Sequence, residues 1–375
     1  MPRAIVLVLD GCGAGAAPDA AKFGDLDNPS TIANVWSHAG SIHAPTLSSL
    51  GFFRACGVDD PLPPRPDASF GRLQELSQGK DSVTGHWEMM GVITEVPFPT
   101  YPEGFPIDLV KAFEARIGVQ TLANRPASGT QIIAELGQMH IDTACPILYT
   151  SADSVFQLAA HEAVVPIEKL YEWCRIAREM LVAPNNVQRV IARPFDGEAP
   201  NFRRTERRKD FPLDPPRNLI DDIGNVYGIG VIPELFGGRG FRAVKRTQNN
   251  SEHAIMLQDA LASDARFIFA NFEDFDMLYG HRNDPKGFAQ CLVDFDSILA
   301  KLVADLRPDD LLLVTADHGN DPTSKSTDHS REYVPVCGIG LKPHGPLGDL
   351  VGMNHIGDWV QAHLSSDSGS ISKKS

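Results

Sequence analysis

The chain has 375 residues, 42% of them hydrophobic and 22% charged, a balance typical of a globular protein large enough for more than one domain. Its 34 Lys and Arg against 48 Asp and Glu leave a formal net charge of −14, which argues against a general nucleic-acid or membrane-surface binder. No apolar run approaches the ~20 residues that cross a bilayer, and the six dispersed cysteines, none in a CxxC pair, read as reduced, mostly buried thiols of a cytoplasmic protein.

Met1 and Arg3 lead directly into the apolar run Ala4-Ile5-Val6-Leu7-Val8-Leu9, without the h-region of a signal peptide. The run predicts a buried strand with Asp10 at its carboxyl end. Gly11-Cys12-Gly13-Ala14-Gly15 follows. It is not GxGxxG and no Walker-type Gly-Lys-Ser/Thr comes after it, so it reads as tight packing around Asp10. Next, Gly79-Lys80-Asp81-Ser82-Val83-Thr84-Gly85-His86-Trp87-Glu88 sets two hydroxyls in a polar turn before Met89-Met90. Ser and Thr are favoured at helix N-caps, and the same place binds phosphate well. A hydroxyl beside a dication there would be an activated nucleophile. Spacing alone favours the plainer alternative, an ordinary cap.

Two proline-rich stretches, Val96 to Pro106 and Phe211 to Asn218, are poor helix or central-strand material. They bracket about 105 residues, the size of a small domain. The simplest architecture is a discontinuous core, 1–96 and 217–375, with an inserted domain at 97–216. Within the insert, Ile147 to Thr150 and Val187 to Ala192 predict strands, and the spacing from Pro166 to Leu181 predicts a helix. Arg189, Arg193, Arg203, Arg204, Arg207, Arg208 and Lys209 form a basic run. Arginine forks match phosphate oxygens; a solvated charged face is the alternative.

Beyond the insert, helices are expected at Glu252 to Leu261 and Phe288 to Ala304. Arg266 to Phe272 predicts a strand leading into Asp274, Asp276 and His281, and Asp310 to Ala316 a strand ending at Asp317-His318, with His329 eleven residues on. Adjacent Asp and His side chains point opposite ways along a strand, so a pair that shares one ion belongs at a bend. The tail from Ser365 to Ser375 is expected to fray. Strand–helix alternation predicts an α/β core. Three apolar strands, each delivering Asp or His at its carboxyl end, place the site at one edge of a parallel sheet. Asp10, Asp276, His281, Asp317, His318 and His329 are too many ligands for one four-coordinate ion. Mixed carboxylate and imidazole donors suit Mn²⁺, Zn²⁺ or Fe²⁺ better than Ca²⁺. A pair of such ions clamps an in-line phosphoryl displacement. The alternative for each residue is a loop cap or a structural hydrogen bond.

The segments GKDSVTGHWEMMG, ILYTSADSVFQLAAHE, VIARPFDGE, NFEDFDMLYGHRNDP and TADHGNDPTSKSTDHSREYVPV resemble the signature segments of the phosphopentomutase family. That family lies within the alkaline phosphatase superfamily and is related to cofactor-independent phosphoglycerate mutases. The resemblance implies an alkaline-phosphatase-like core, with a mostly parallel sheet flanked by helices, and a mobile α+β cap inserted after the nucleophile helix. It implies interconversion of α-D-ribose 1-phosphate, or its 2-deoxy analogue, with the 5-phosphate through a phosphoenzyme and a 1,5-bisphosphate. It assigns one Mn²⁺ to Asp10, Asp317 and His318 and a second to Asp276, His281 and His329. Glucose 1,6-bisphosphate or ribose 1,5-bisphosphate would be the activator.

The residue phosphorylated in the family corresponds to Ser82, where the family usually has Thr; Thr84 stays a second candidate. Ser151, Asp153 and Val155 match the cap's sugar-binding segment, and Arg193 and Arg208 its phosphate-binding arginines. Gly11-Cys12 and Asn320 depart from the family pattern at positions not expected to bind metal. Pentose phosphates are the implied partners, with neither nucleic acid nor membrane, and no oligomeric state follows. A metal-dependent phosphatase or phosphodiesterase on the same core, and a non-catalytic sugar-phosphate binder, are the competing functions.

Overall fold

Among the described residues, thirteen strands run along the chain: β1 (Arg3–Leu9), β2 (Ala68–Gln74), β3 (Leu122–Pro126), β4 (Ile147–Thr150), β5 (Val155–His161), β6 (Arg189–Asp196), β7 (Arg203–Arg204), β8 (Lys209–Pro212), β9 (Tyr227–Ile229), β10 (Phe267–Phe272), β11 (Asp310–Thr315), β12 (Val334–Ile339) and β13 (Gly345–Val351). The structure, a computed structural model, describes residues 2–151, 153–243 and 245–366. Of the tail expected to fray, Ser365 closes the last helix, His355–Ser365, and residues 367–375 lie outside the described residues. The chain divides into two compact units, one of Met1–Pro97 with Pro215–Ser375 and one of Phe98–Asp214.

The first unit is built on a seven-stranded sheet in the order β13-β2-β12-β11-β1-β10-β9. Strand β1 runs parallel to both neighbours, with Leu9 opposite Phe272 of β10 and Val8 opposite Thr315 of β11. All residues of β1, β10 and β11 are buried, as continuous apolar runs in a parallel sheet require. The register brings the carboxyl ends of the three strands to one edge. Strand β12 is antiparallel to β11 and to β2, so the sheet is mixed on that side. Helix His355–Ser365 packs on β1 and β11, Asn250–Ala262 on β9 and β10, and Pro285–Ala304 carries Thr31–Ala39 and Pro45–Leu50. The core is therefore α/β, with helices flanking a mostly parallel sheet.

The second unit has a sheet in the order β3-β4-β5-β6-β7, with β8 also paired to β6. Side chains alternate faces along its strands. Leu148, Phe156, Leu158, Val190 and Ala192 face helices Ile107–Ile117 and Ile167–Met180. Ile147, Tyr149, Ala159 and Phe195 instead join Ile132 and Ile133 of helix Gly129–Thr143. The strand expected over Val187 to Ala192 lies further on, at Arg189–Asp196. Among the described residues no helix is long and apolar enough to cross a membrane. All six cysteines are free thiols, five of them buried.

At the amino end of β1, Arg3 is 2% exposed. It makes a two-point ion pair with Asp310 at 2.5 and 3.2 Å and donates to the Leu261 carbonyl at 2.8 Å. Removing one member of a buried pair leaves the other charge uncompensated. Arg3→Met should destabilise the first unit by about 3 kcal/mol, read as a lower urea midpoint at unchanged slope.

Candidate metal centre and nucleophile

Asp10 directly follows β1, and Asp317-His318 lies two residues past β11. Asp276 and His281 sit on the consecutive helical turns Phe275–Tyr279 and Gly280–Arg282 after β10. A bridge between Gly319 and Ser330 folds the chain back after β11. His329 thereby stacks on His318, with ring centroids 3.9 Å apart. His318 Nε2 lies 3.4 Å from Asp10 Oδ1 and 3.3 Å from Asp317 Oδ2. Asp276 Oδ2 lies 3.0 Å from His281 Nε2, Asp276 Oδ1 3.6 Å from His329 Nε2, and the two imidazole Nε2 atoms are 3.2 Å apart. All six sequence-derived ligand residues thus meet at one sheet edge. Ligand atoms of Asp10, Asp317 and His318 lie within 4.8 Å of one another, and so do those of Asp276, His318 and His329. His318 therefore reaches both groups, whereas the resemblance gave it to one.

The donors suit divalent cations. Asp10 Oδ1 and Asp317 Oδ2 are buried without a hydrogen-bond partner, a costly state for a carboxylate unless a cation is near. Burial pushes the Asp10 carboxyl well up, and the charges of Asp317 and Asp276 push it further. Burial is the largest influence on His329 and opposes its charge, but the hydrogen bond to Asp276 and the charges of Asp276, Asp81 and Asp317 together outweigh it and raise the imidazole to about 9. His281 Nδ1 faces the Thr327 carbonyl at 2.6 Å, and His318 Nδ1 faces that of Gly319 at 3.2 Å. A carbonyl only accepts, so each Nδ1 carries the proton and each Nε2 lone pair points inward, the usual arrangement of imidazole metal ligands.

Two asparagines missed from sequence complete the cluster. Asn271 Nδ2 donates to Asp10 Oδ2 at 2.6 Å, and Asn320 Nδ2 to Asp276 Oδ1 at 2.6 Å. Asn271 had a signal, being a polar residue inside the apolar strand β10. Asn320, read from sequence as a position not expected to bind metal, thus touches a candidate ligand. Gly11 adopts φ +73°, and a Cβ there would lie 3.1 Å from Asp276 Oδ1. Its N–H donates to Asp317 Oδ1 at 3.1 Å, which explains the tight turn after Asp10.

The nucleophile segment needs one correction. Neither hydroxyl caps the helix Ser82–Met89. Asp81 does, accepting from Val83 N and Thr84 N at 3.0 and 3.2 Å; its carboxylate serves two unpaired N–H groups where a hydroxyl commonly serves one. Thr84 is fully buried; the Asp81 N–H donates to its Oγ1 at 3.4 Å, closing a reciprocal capping box, and Oγ1 donates to the Asp81 carbonyl at 3.0 Å. Ser82, the first helical residue, places Oγ 3.2 Å from His318 Nε2. Burial holds the His86 pKa down; this side chain contacts the Ser82 carbonyl at 2.7 Å and lies 3.5 Å from Asp317 Oδ2.

In the second unit, Ser151, Asp153, Val155, Arg193 and Arg208 line one cavity of about 320 Å³ together with Gln157. Arg193 donates to Gln157 Oε1 at 3.1 Å. Burial, and then the neighbouring charge of Arg208, depress its pKa, as desolvation and a like charge both do. Much of the basic run is paired with carboxylates. Arg203 bonds Asp196 at 2.7 Å, Arg208 bonds Asp210 at 2.6 Å, and Arg207 pairs with Glu162.

Residues 236–356 match the Metalloenzyme superfamily. The chain is 48% identical over 349 residues to a phosphopentomutase of Acetivibrio thermocellus, covering 91% of this chain and 90% of that protein. It is 49% identical over 357 residues to a phosphopentomutase of Dictyoglomus thermophilum, covering 93% and 91%. Among solved structures, the PH0037 protein from Pyrococcus horikoshii shares the fold, with a TM-score of 0.50 at 16% identity over 97% of each chain.

Helix Ser82–Met89 rests on the metal loop through Gly85, where a Cβ would lie 2.2 Å from the Asp317 carbonyl oxygen. Gly85→Ala should lengthen the separation of Ser82 Oγ and His318 Nε2 by about 1 Å, the shift that restores van der Waals contact. A crystal structure of the variant checks this.

Proposed function

The chain belongs to the phosphopentomutase family of isomerases, and on that premise we propose that it interconverts α-D-ribose 1-phosphate, or 2-deoxyribose 1-phosphate, with the corresponding 5-phosphate by transferring a phosphoryl group through Ser82. The observation that carries the assignment to Ser82 is the contrast between the two hydroxyls. Ser82 Oγ lies 3.2 Å from His318 Nε2, while Thr84 is buried in the capping box. Two Mn²⁺, one held by Asp10, Asp317 and His318 and the other by Asp276, His281 and His329, would supply Lewis-acid stabilisation of the transferring phosphoryl group. A sugar bisphosphate, either glucose 1,6-bisphosphate or ribose 1,5-bisphosphate, primes Ser82 as the activator.

The protein's own groups divide the remaining work. Asp81 ties down the first turn of the helix, so Ser82 Oγ is oriented before substrate arrives, which lowers the entropic barrier. The positive end of that helix favours the phosphoryl charge on Ser82. In the forward direction the bond from phosphorus to Ser82 Oγ breaks as one forms to O5 of the sugar 1-phosphate, giving the 1,5-bisphosphate. After reorientation Ser82 Oγ takes the phosphoryl group from O1, leaving the 5-phosphate and a recharged enzyme. Arg193 and Arg208 hold the phosphate that does not react, because guanidinium forks match its oxygens. Ser151 and Asp153 bind sugar hydroxyls, and Val155 packs against the ring. Excluding water matters, since a phosphoserine open to solvent risks hydrolysis. A phosphatase built on the same metal core would differ by releasing inorganic phosphate.

Incubation with glucose 1,6-bisphosphate labelled in its phosphates, with Mn²⁺ present, tests both points. The parent protein and Thr84→Ala should take up label, Ser82→Ala should take up none, and ribose 5-phosphate should yield isomer without stoichiometric inorganic phosphate. Equal labelling of the two variants would overturn the assignment to Ser82, and phosphate release matching substrate loss would make the protein a phosphatase.

A further inference from the structure

The nucleophile segment carries a feature that its own sequence does not explain. Residues 75–81, between β2 and helix Ser82–Met89, form neither helix nor strand, yet Ser82 at their end must be held to fractions of an ångström. Their N–H groups at Leu76 and Ser77 are served by Glu88 of the same segment. Their carbonyls are served from 250 residues away. The guanidinium of Arg331, 1% exposed, donates to the carbonyls of Glu75, Ser77 and Gly79 at 2.6, 2.8 and 2.6 Å. It also bonds the carboxylates of Glu75 at 2.5 Å and Asp19 at 3.0 and 3.2 Å, and lies 4.5 Å from the Phe23 ring centroid.

Arg331 stands two residues after His329, and Gly79 three before Ser82. The backbone N–H of Arg331 donates to Asp25 Oδ2 at 2.7 Å, and Asp25 Oδ1 accepts from Lys80 Nζ at 3.1 Å. We infer that Arg331 is a positioning residue for phosphoryl transfer: its planar fork fixes the loop that carries Ser82 to the same stretch of chain that carries His329, so that hydroxyl and metal ligands keep one geometry. Lysine has no such fork. It can keep the charge near Asp19 and Glu75 but reaches fewer of the three carbonyls.

The inference rests on the proposed role of Ser82, and its test separates the two. Arg331→Lys is compared with Arg3→Lys, which alters the other fully buried, carboxylate-paired arginine of the first unit at the far end of β1. Both variants should melt at lower temperature. Only R331K should lose kcat, by about tenfold or more per metal-loaded protein, with KM within about threefold of the parent. Amide hydrogen exchange over residues 75–82 should quicken in R331K and stay at the parent's rate in R3K. A purely structural role predicts equal kcat losses in the two variants, or a loss in R331K that disappears when the rate is normalised to folded protein; either result overturns the inference. Mutase turnover and Ser82 labelling of the parent are measured in parallel: if they are absent, the functional reading fails; if they are present while R331K keeps the parent's kcat, the positioning role alone fails.

Discussion

The structure depends on an unfavourable concentration of charge. Asp10, Asp276 and Asp317 are buried together at the end of three parallel strands, and carboxylates so close destabilise one another unless cations or protons intervene. The fold accepts this because the register of β1 against β10 and β11 leaves no alternative. A one-residue slip would turn each strand's side chains to the opposite face, and the buried pair of Arg3 and Asp310 closes the other end of β1. What the strands hold in place is therefore a demand for positive charge, suited to divalent ions.

Around that demand the neighbouring groups are arranged to fix orientation rather than to add ligands. Carbonyls of Thr327 and Gly319 set the tautomers of His281 and His318. Asn271 and Asn320 hold the second oxygens of Asp10 and Asp276. Asp81 and Arg331 do the same for Ser82, the first by capping its helix and the second by gathering the carbonyls of the preceding segment. The hydroxyl at the first position of the helix is thereby oriented in advance, which preorganised catalysis requires.

The parts legible in the sequence are those with a local signature. The apolar runs of β1, β10 and β11 declare themselves, as do the Asp and His residues at their ends, because burial on both sheet faces removes polar residues from the run. The proline-rich stretches lie close to where the chain passes between its two units, since proline suits neither a helix interior nor a central strand. Other features depend on partners far along the chain and leave no local trace. The antiparallel insertion of β12 between β11 and β2 is one. The contact of Asn320 with Asp276 is another, and so is the reach of Arg331 to residues 75–79. Asp81 is legible in sequence, because Asp ranks with Ser at N-caps. The sharing of His318 between two ligand groups is a matter of distance, which spacing does not encode.

The central claim is that this buried acidic and imidazole cluster holds two divalent ions. Titration of metal-stripped protein with Mn²⁺ in a calorimeter, with elemental analysis of the dialysed product, tests it most directly. The account predicts two ions per chain, one lost in Asp276→Asn with the other retained. Binding of a single ion, or the same stoichiometry in parent and Asp276→Asn, would contradict it.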